Sequence, residues 1–137
     1  MIGKRRVMHD RVLVDTSAWI AFFRQADHAL ADKLKSLLRT GQPVYAGLIA
    51  TELFRGARSK KELDVLEGLF GSIGYVETKE EYFRDAGELG RLLLHKGITI
   101  GTVDLLIAQI ALANDIALLT LDTHFGSIAR HAPLRLY

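Results

Sequence analysis

Short β-branched and aliphatic runs alternate along this chain with longer segments in which apolar residues recur every three to four positions. Arg11 to Asp15 (RVLVD) is the first such run and ends on an acid, and the SAWIAFF segment after it has helical spacing behind a Ser cap candidate. Leu30, Leu34, Leu37 and Leu38 fall at i, i+4, i+7 and i+8, which predicts an amphipathic helix closed by Gly41 and Pro43. Val44 to Ala46 reads as a short strand. The stripe Ala50, Leu53, Phe54, Ala57, starting from Leu48, predicts a helix; Leu63, Leu66 and Phe70 predict another that stops at the Gly71 to Gly74 break. Ile73 to Val76 reads as an edge strand. Tyr82, Ala86, Leu89 and Leu93 define a long helix from about Lys79 to Lys96, stopped by Gly97. Val103 to Asn114 is apolar nearly all round, as a buried helix is. Ile116 to Thr120 is apolar throughout and is expected to be a central parallel strand covered on both faces, with Leu134 to Leu136 as a last short strand.

Strands alternating with helices predict an α/β fold: a three-layer arrangement with a central, mostly parallel sheet of four or five strands, right-handed crossovers and helices on both faces. Ligands of such open sheets sit outside the carboxyl ends of the strands. A chain of 137 residues, 49% hydrophobic, supports one core, so residues 11–137 are taken as one domain and residues 1–10 as a short basic tail.

Composition narrows the chemistry. The chain has no cysteine, which removes disulfides, thiolate metal sites and thiol nucleophiles together. Its apolar runs stop well short of the roughly 20 residues that span a bilayer. The opening MIGKRRVMHDR is basic but leads directly into a strand, without the apolar stretch of a signal peptide, so a cytoplasmic protein with no membrane partner is expected. A net charge of +2 identifies no partner by itself. Basic residues do gather in two places, Lys4, Arg5, Arg6 and Arg11 in the first and Arg55, Arg58, Lys60 and Lys61 in the second, where ordinary surface solvation explains them equally well.

Four acids stand at positions that matter. Asp15 ends the first strand, and Asp122 lies two residues past the end of the IALLT strand, so both would face the crevice at the carboxyl ends. Asp104 opens the buried helix, where an ionised group needs a partner. Glu52 sits beside the apolar stripe of its helix with Gly56 at i+4, which leaves room for something to approach. Taken singly, each has an ordinary explanation: Asp15 and Asp122 as N-caps, Asp104 as a complement to a helix dipole, Glu52 as a partner of Arg55 at i+3. Sheet topology would nevertheless bring all four together. Carboxylates about 4 Å apart repel by roughly 4 kcal/mol per pair at an effective dielectric near 20, so such a cluster must protonate, pair with Arg or bind a cation. Oxygen ligands without Cys, and without paired His spacing, select Mg²⁺ or Mn²⁺ over zinc. A hard divalent ion in a carboxylate cleft suits phosphodiester hydrolysis by a metal-activated water, with no protein nucleophile.

The segments VLVDTSAWIAFF, ATELFRGA, TVDLLIAQIALAND and ALLTLDTHFGSI, in this order and spacing, resemble the PIN domain, and within it the VapC-like toxin ribonucleases of type II toxin–antitoxin modules. The resemblance runs from about Arg11 to Tyr137 and implies a PIN-like fold and a metal-dependent endoribonuclease. By matching position it implies metal-binding roles for Asp15, Glu52 and Asp104, with Asp122 as the fourth acid, acting directly or through water. Thr16 and Ser17 resemble the polar residues that support the first Asp, and Thr120 the threonine at the end of the fourth strand; capping and turn formation are the alternative. The resemblance further implies a homodimer, an RNA substrate, and inhibition by a VapB-like antitoxin whose tail enters the catalytic groove.

Arg55 and Arg58 are candidates for holding the RNA backbone, with ion pairing to neighbouring acids as the alternative. Among the histidines, His9, His28, His95 and His131 lack ligand spacing, whereas His124 follows Asp122 by two residues and is a candidate phosphate or leaving-group contact. Trp19, Phe22 and Phe23 are expected in packing before base stacking. Two other functions fit part of the pattern. A phosphatase would also begin with an Asp at the first strand end, but Asp15-Thr16-Ser17 lacks its second Asp. A non-catalytic α/β binding domain would use the acids structurally. Neither GxGxxG nor GxxxxGK[ST] occurs.

Overall fold

The computed structural model describes residues 10–137; Lys4, Arg5, Arg6 and His9 lie outside the described residues. The elements run β1 (Val12–Val14), α1 (Thr16–Phe23), α2 (His28–Arg39), β2 (Pro43–Tyr45), α3 (Gly47–Gly56), α4 (Lys60–Ser72), β3 (Gly74–Tyr75), α5 (Glu80–His95), α6 (Thr102–Asn114), β4 (Ala117–Leu119) and α7 (His124–Ala129). The strands form one parallel sheet in the order β3-β2-β1-β4, with Leu13 opposite Val44 on one side and Leu118 on the other. Every residue of β1 and β4 is buried. Because successive strand residues point to opposite faces, that pattern requires cover on both faces of the sheet.

The helices supply it. The leucine stripe of α2 is buried at Leu30, Leu34 and Leu37, and α2 packs on α1, which also meets α3. On α6, Leu105 to Ala108, Ile110 and Ala111 are buried, while Val103 at its start is exposed. The tightest helix pair is α5 with α6. There the helices approach closely at Gly90: a Cβ on it would stand 2.6 Å from Leu105 Cδ1, so the leucine side chain would have to turn away. Gly97, at φ +78°, follows the end of α5 in a conformation that disfavours side chains with a Cβ.

Four expectations need correction. The apolar IALLT run is not the central strand: β1 holds the centre, and β4 is the last strand of the sheet, shielded by the C-terminal segment. That segment makes a single parallel bridge, Leu118 with Leu136, rather than a strand from Leu134 to Leu136. The Gly71 to Gly74 break begins later than expected, since α4 continues through Gly71 to Ser72. Ser17 also lies inside the first turn of α1, whose N-cap position is Asp15. No helix among the described residues is long and apolar enough to cross a membrane.

Candidate active site

Asp15 is the only buried charged residue among the described residues, 5% exposed, and it stands where β1 passes into α1. It occupies the N-cap position of α1, yet its side chain makes no cap bond. Its Oδ2 instead accepts two hydroxyls, from Ser17 and from Thr120, each at 2.9 Å. With their hydrogens so used, the two hydroxyl oxygens accept backbone N–H groups: Leu121 to Ser17 Oγ and Asp122 to Thr120 Oγ1, both at 3.0 Å. This knot ties the start of α1 to the chain leaving β4, two segments about a hundred residues apart in sequence. Asp15 Oδ1 accepts no hydrogen bond among the described residues and is not sealed from solvent. One oxygen is anchored and the other is available.

Glu52, half-buried on α3, accepts the Thr16 hydroxyl at 2.6 Å rather than pairing with Arg55. Asp122 is not the N-cap of α7, a position held by Thr123, but its Oδ1 takes the backbone N–H of His124 at 2.9 Å. Asp104, in the first turn of α6, lies with its Oδ2 3.3 Å from His124 Nδ1, which is also 3.3 Å from Asp122 Oδ1. One ligand atom from each of Asp104, Asp122 and His124 falls within 4.8 Å of the others. The Asp104 carboxyl is pushed above the usual carboxylate range, first by burial, against which contact with His124 acts, and then by the charges of Asp122 and Asp15. Asp15 and Glu52 stand outside that group of three: Asp15 lies near enough for its charge to raise the Asp104 carboxyl, and Thr16 joins Glu52 to the start of α1.

The donor set fits a hard or borderline divalent ion: available carboxylate oxygens, one imidazole nitrogen, no thiolate, and an acid already disfavoured as an anion by burial and by like charge. A measurable consequence concerns the metal-free protein. A carboxyl whose folded pKa lies above its unfolded value binds its proton more tightly in the native state. Stability from Asp104 is therefore present at acid pH and is lost as pH rises from the unfolded value through the folded one. Asp104→Asn is expected to raise the melting temperature in chelator at neutral pH and to leave it nearly unchanged near pH 3.5, as thermal scans at the two pH values would show. An equal shift at both would dissociate the effect from the carboxyl charge.

The second functional feature is a groove of 580 Å³ that opens beside Glu52 between α1, α3 and α4. Ile20, Phe23, Leu53 and Val65 contribute its apolar wall, and Arg24, Arg58 and Lys61 stand along it. Gly56 also lines it, with nothing within 4 Å of where a Cβ would be, in keeping with the space expected beside Glu52. Arg58 therefore shares the groove with Glu52, whereas Arg55 is exposed and does not line it. Neither forms a salt bridge among the described residues, so the ion-pairing alternative is not realised. Arg24 drew no attention from the sequence. It caps the C-terminal end of α1, and only the packing of α1 beside α3 and α4 brings it here.

The protein is thus a parallel α/β domain with acids gathered near its strand ends. The chain belongs to the PIN-domain family, whose model matches residues 12–131. Among its relatives, Ribonuclease VapC19 of Mycobacterium tuberculosis is 32% identical over 123 residues, covering 89% of this chain and 92% of the relative. Ribonuclease VapC11 of the same organism is 28% identical over 123 residues, with 87% and 92% covered. Among solved structures, VapBC2 from Rickettsia felis, bound to a DNA fragment from its promoter, aligns with a TM-score of 0.76 at 20% identity, over 92% of this chain and 96% of that one. The last likeness concerns the fold, and it agrees with the PIN-like architecture expected from the sequence.

Proposed function

We propose that the chain is a divalent-metal-dependent endoribonuclease, the toxin of a toxin–antitoxin module, using Mg²⁺ or Mn²⁺. The observation that carries the reading is the convergence of Asp15, Asp104 and Asp122 at the carboxyl ends of β1 and β4, with Glu52 tied to the same place through Thr16. Its relatives VapC19 and VapC11, which are named ribonucleases, support it. Asp15 and Asp104 would hold the ion, with Glu52 and Asp122 as the further acids. Bound there, the ion supplies an activated water and offsets charge gathering on the phosphate.

The remaining work falls to the chain's own residues. Ser17 and Thr120 fix the Asp15 carboxylate in one orientation through Oδ2, which leaves Oδ1 directed by the protein and not by the ligand. Thr16 does the same for Glu52. Arg24, Arg58 and Lys61 complement a polyanion running along the groove toward Glu52, and Phe23, 38% exposed, offers a face to an unstacked base. Arg55, farther along α3, is retained as an outlying backbone contact.

The same reading includes a VapB-like antitoxin, supported by the VapBC complexes among the structural neighbours, and a homodimer. For the dimer, Phe83 and Leu94 lie exposed on one stripe of α5, beside a shallow depression lined by Gly87, Gly90 and Ile100.

The test is direct. Purified chain, freed of metal, should cut RNA only after Mg²⁺ or Mn²⁺ is added and should leave DNA of the same sequence intact. Undiminished cutting in excess chelator would end the metal reading.

A further inference from the structure

The ring of His124 stands between Asp104 and Asp122. Its Nδ1 is 3.3 Å from an oxygen of each. A charge-assisted N–H···O bond is normally about 2.7–2.9 Å, so an Nδ1–H shared between the two oxygens makes only two long, weak bonds. Yet the ring is held: the backbone N–H of His124 is fixed on Asp122 Oδ1 at 2.9 Å, and Phe125, the next residue, is completely buried. Ligands on adjacent vertices of an octahedral ion with bonds near 2.1 Å stand about 3 Å apart. Nδ1 stands at about such a spacing from Asp104 Oδ2 and from Asp122 Oδ1, and the three atoms fall within 4.8 Å of one another. The side chain is 59% exposed, so Nε2 can keep its hydrogen in water while Nδ1 turns inward as a lone pair.

We propose that His124 Nδ1 is a nitrogen ligand of the metal site and biases it toward a first-row transition ion, Mn²⁺, over Mg²⁺. The inference rests on the nuclease reading for the presence of an ion but adds a ligand of a different kind. Imidazole binds transition ions in preference to Mg²⁺, whereas carboxylates serve both, so a single nitrogen among oxygens changes selectivity without abolishing either.

Pulsed electron paramagnetic resonance of Mn²⁺ bound to the full chain tests this without reference to activity. The unaltered protein should show the ¹⁴N modulation of a directly bound imidazole, and His124→Ala should lose it. By competition titration the ratio of Mn²⁺ to Mg²⁺ affinity should fall about tenfold in His124→Ala, the scale on which supporting residues act at metal sites. His124→Gln, which offers oxygen in place of the nitrogen, should keep the lowered Mn²⁺ to Mg²⁺ ratio and show no ¹⁴N signal. Mn²⁺ bound to the unaltered chain without ¹⁴N modulation would overturn the ligand and leave the nuclease reading standing. Failure of the chain to take up Mn²⁺ at all would overturn both.

Discussion

Asp15→Asn is expected to lower RNA cleavage about a thousandfold or more while leaving the unfolding midpoint in urea almost where it was. A bound divalent ion supplies several kcal/mol of transition-state stabilisation, and about 4 kcal/mol corresponds to three orders of magnitude in rate. An amide oxygen can replace Oδ2 as the acceptor of the Ser17 and Thr120 hydroxyls, so the knot between α1 and the end of β4 persists. The position of Oδ1 would then carry an NH₂ group, a donor that repels the ion. Asp15→Ala has the opposite balance. It removes the acceptor from two part-buried hydroxyls, and an unsatisfied buried donor costs about 1–3 kcal/mol. The alanine variant should therefore be both inactive and clearly less stable than the asparagine variant. Near-native cleavage by Asp15→Asn would reduce the residue to a structural tie, and equal midpoints for the two variants would remove the tie.

The contrast between Asp15 and Glu52 marks the limit of what the sequence discloses. Asp15 stands at the end of a β-branched run, and parallel-sheet geometry assigns the ends of such runs to the ligand cleft, so its address was legible from pattern alone. The bond from Thr16 to Glu52 was not. It joins residues 36 positions apart, and it exists because α1 and α3 pack together. Local spacing pointed Glu52 to Arg55 at i+3, but a short hydroxyl bond in a half-buried setting takes precedence over a solvent-exposed pair worth a few tenths of a kcal/mol.

Strand order was hidden for a related reason. An apolar run reports that a strand is covered, and β4 is covered, but its outer edge meets a C-terminal segment whose strand-like run at Leu134 to Leu136 makes one bridge and no strand. The long amphipathic helix α5 lies within a residue of the bounds read from its stripe, which persists over about three turns, and α2 buries the leucines its stripe named. The six residues of α7 are too few to display a period, although that helix fixes His124.

Replacing Arg24, Arg58 and Lys61 together with alanine is expected to weaken RNA binding about fiftyfold near 0.15 M salt and to flatten its log-log salt dependence by about two, at 0.7 per lost single-strand phosphate contact. These cations line the groove and form no salt bridge among the described residues, so their loss leaves no acid newly unpaired. They stand along the groove and outside the cluster of acids. Their contribution is equal in ground and transition states, and the loss should raise KM with little change in kcat. Fluorescence anisotropy over a salt series, combined with steady-state cleavage, separates the two effects. Arg55→Ala, outside the groove, should reduce the slope less than any of the three alone. An unchanged slope in the triple variant would remove RNA from the groove. The apolar wall of Ile20, Phe23, Leu53 and Val65 would then be better matched to a protein segment than to a nucleic-acid strand. A fall in kcat at constant KM would instead place at least one of these cations on the reacting phosphate.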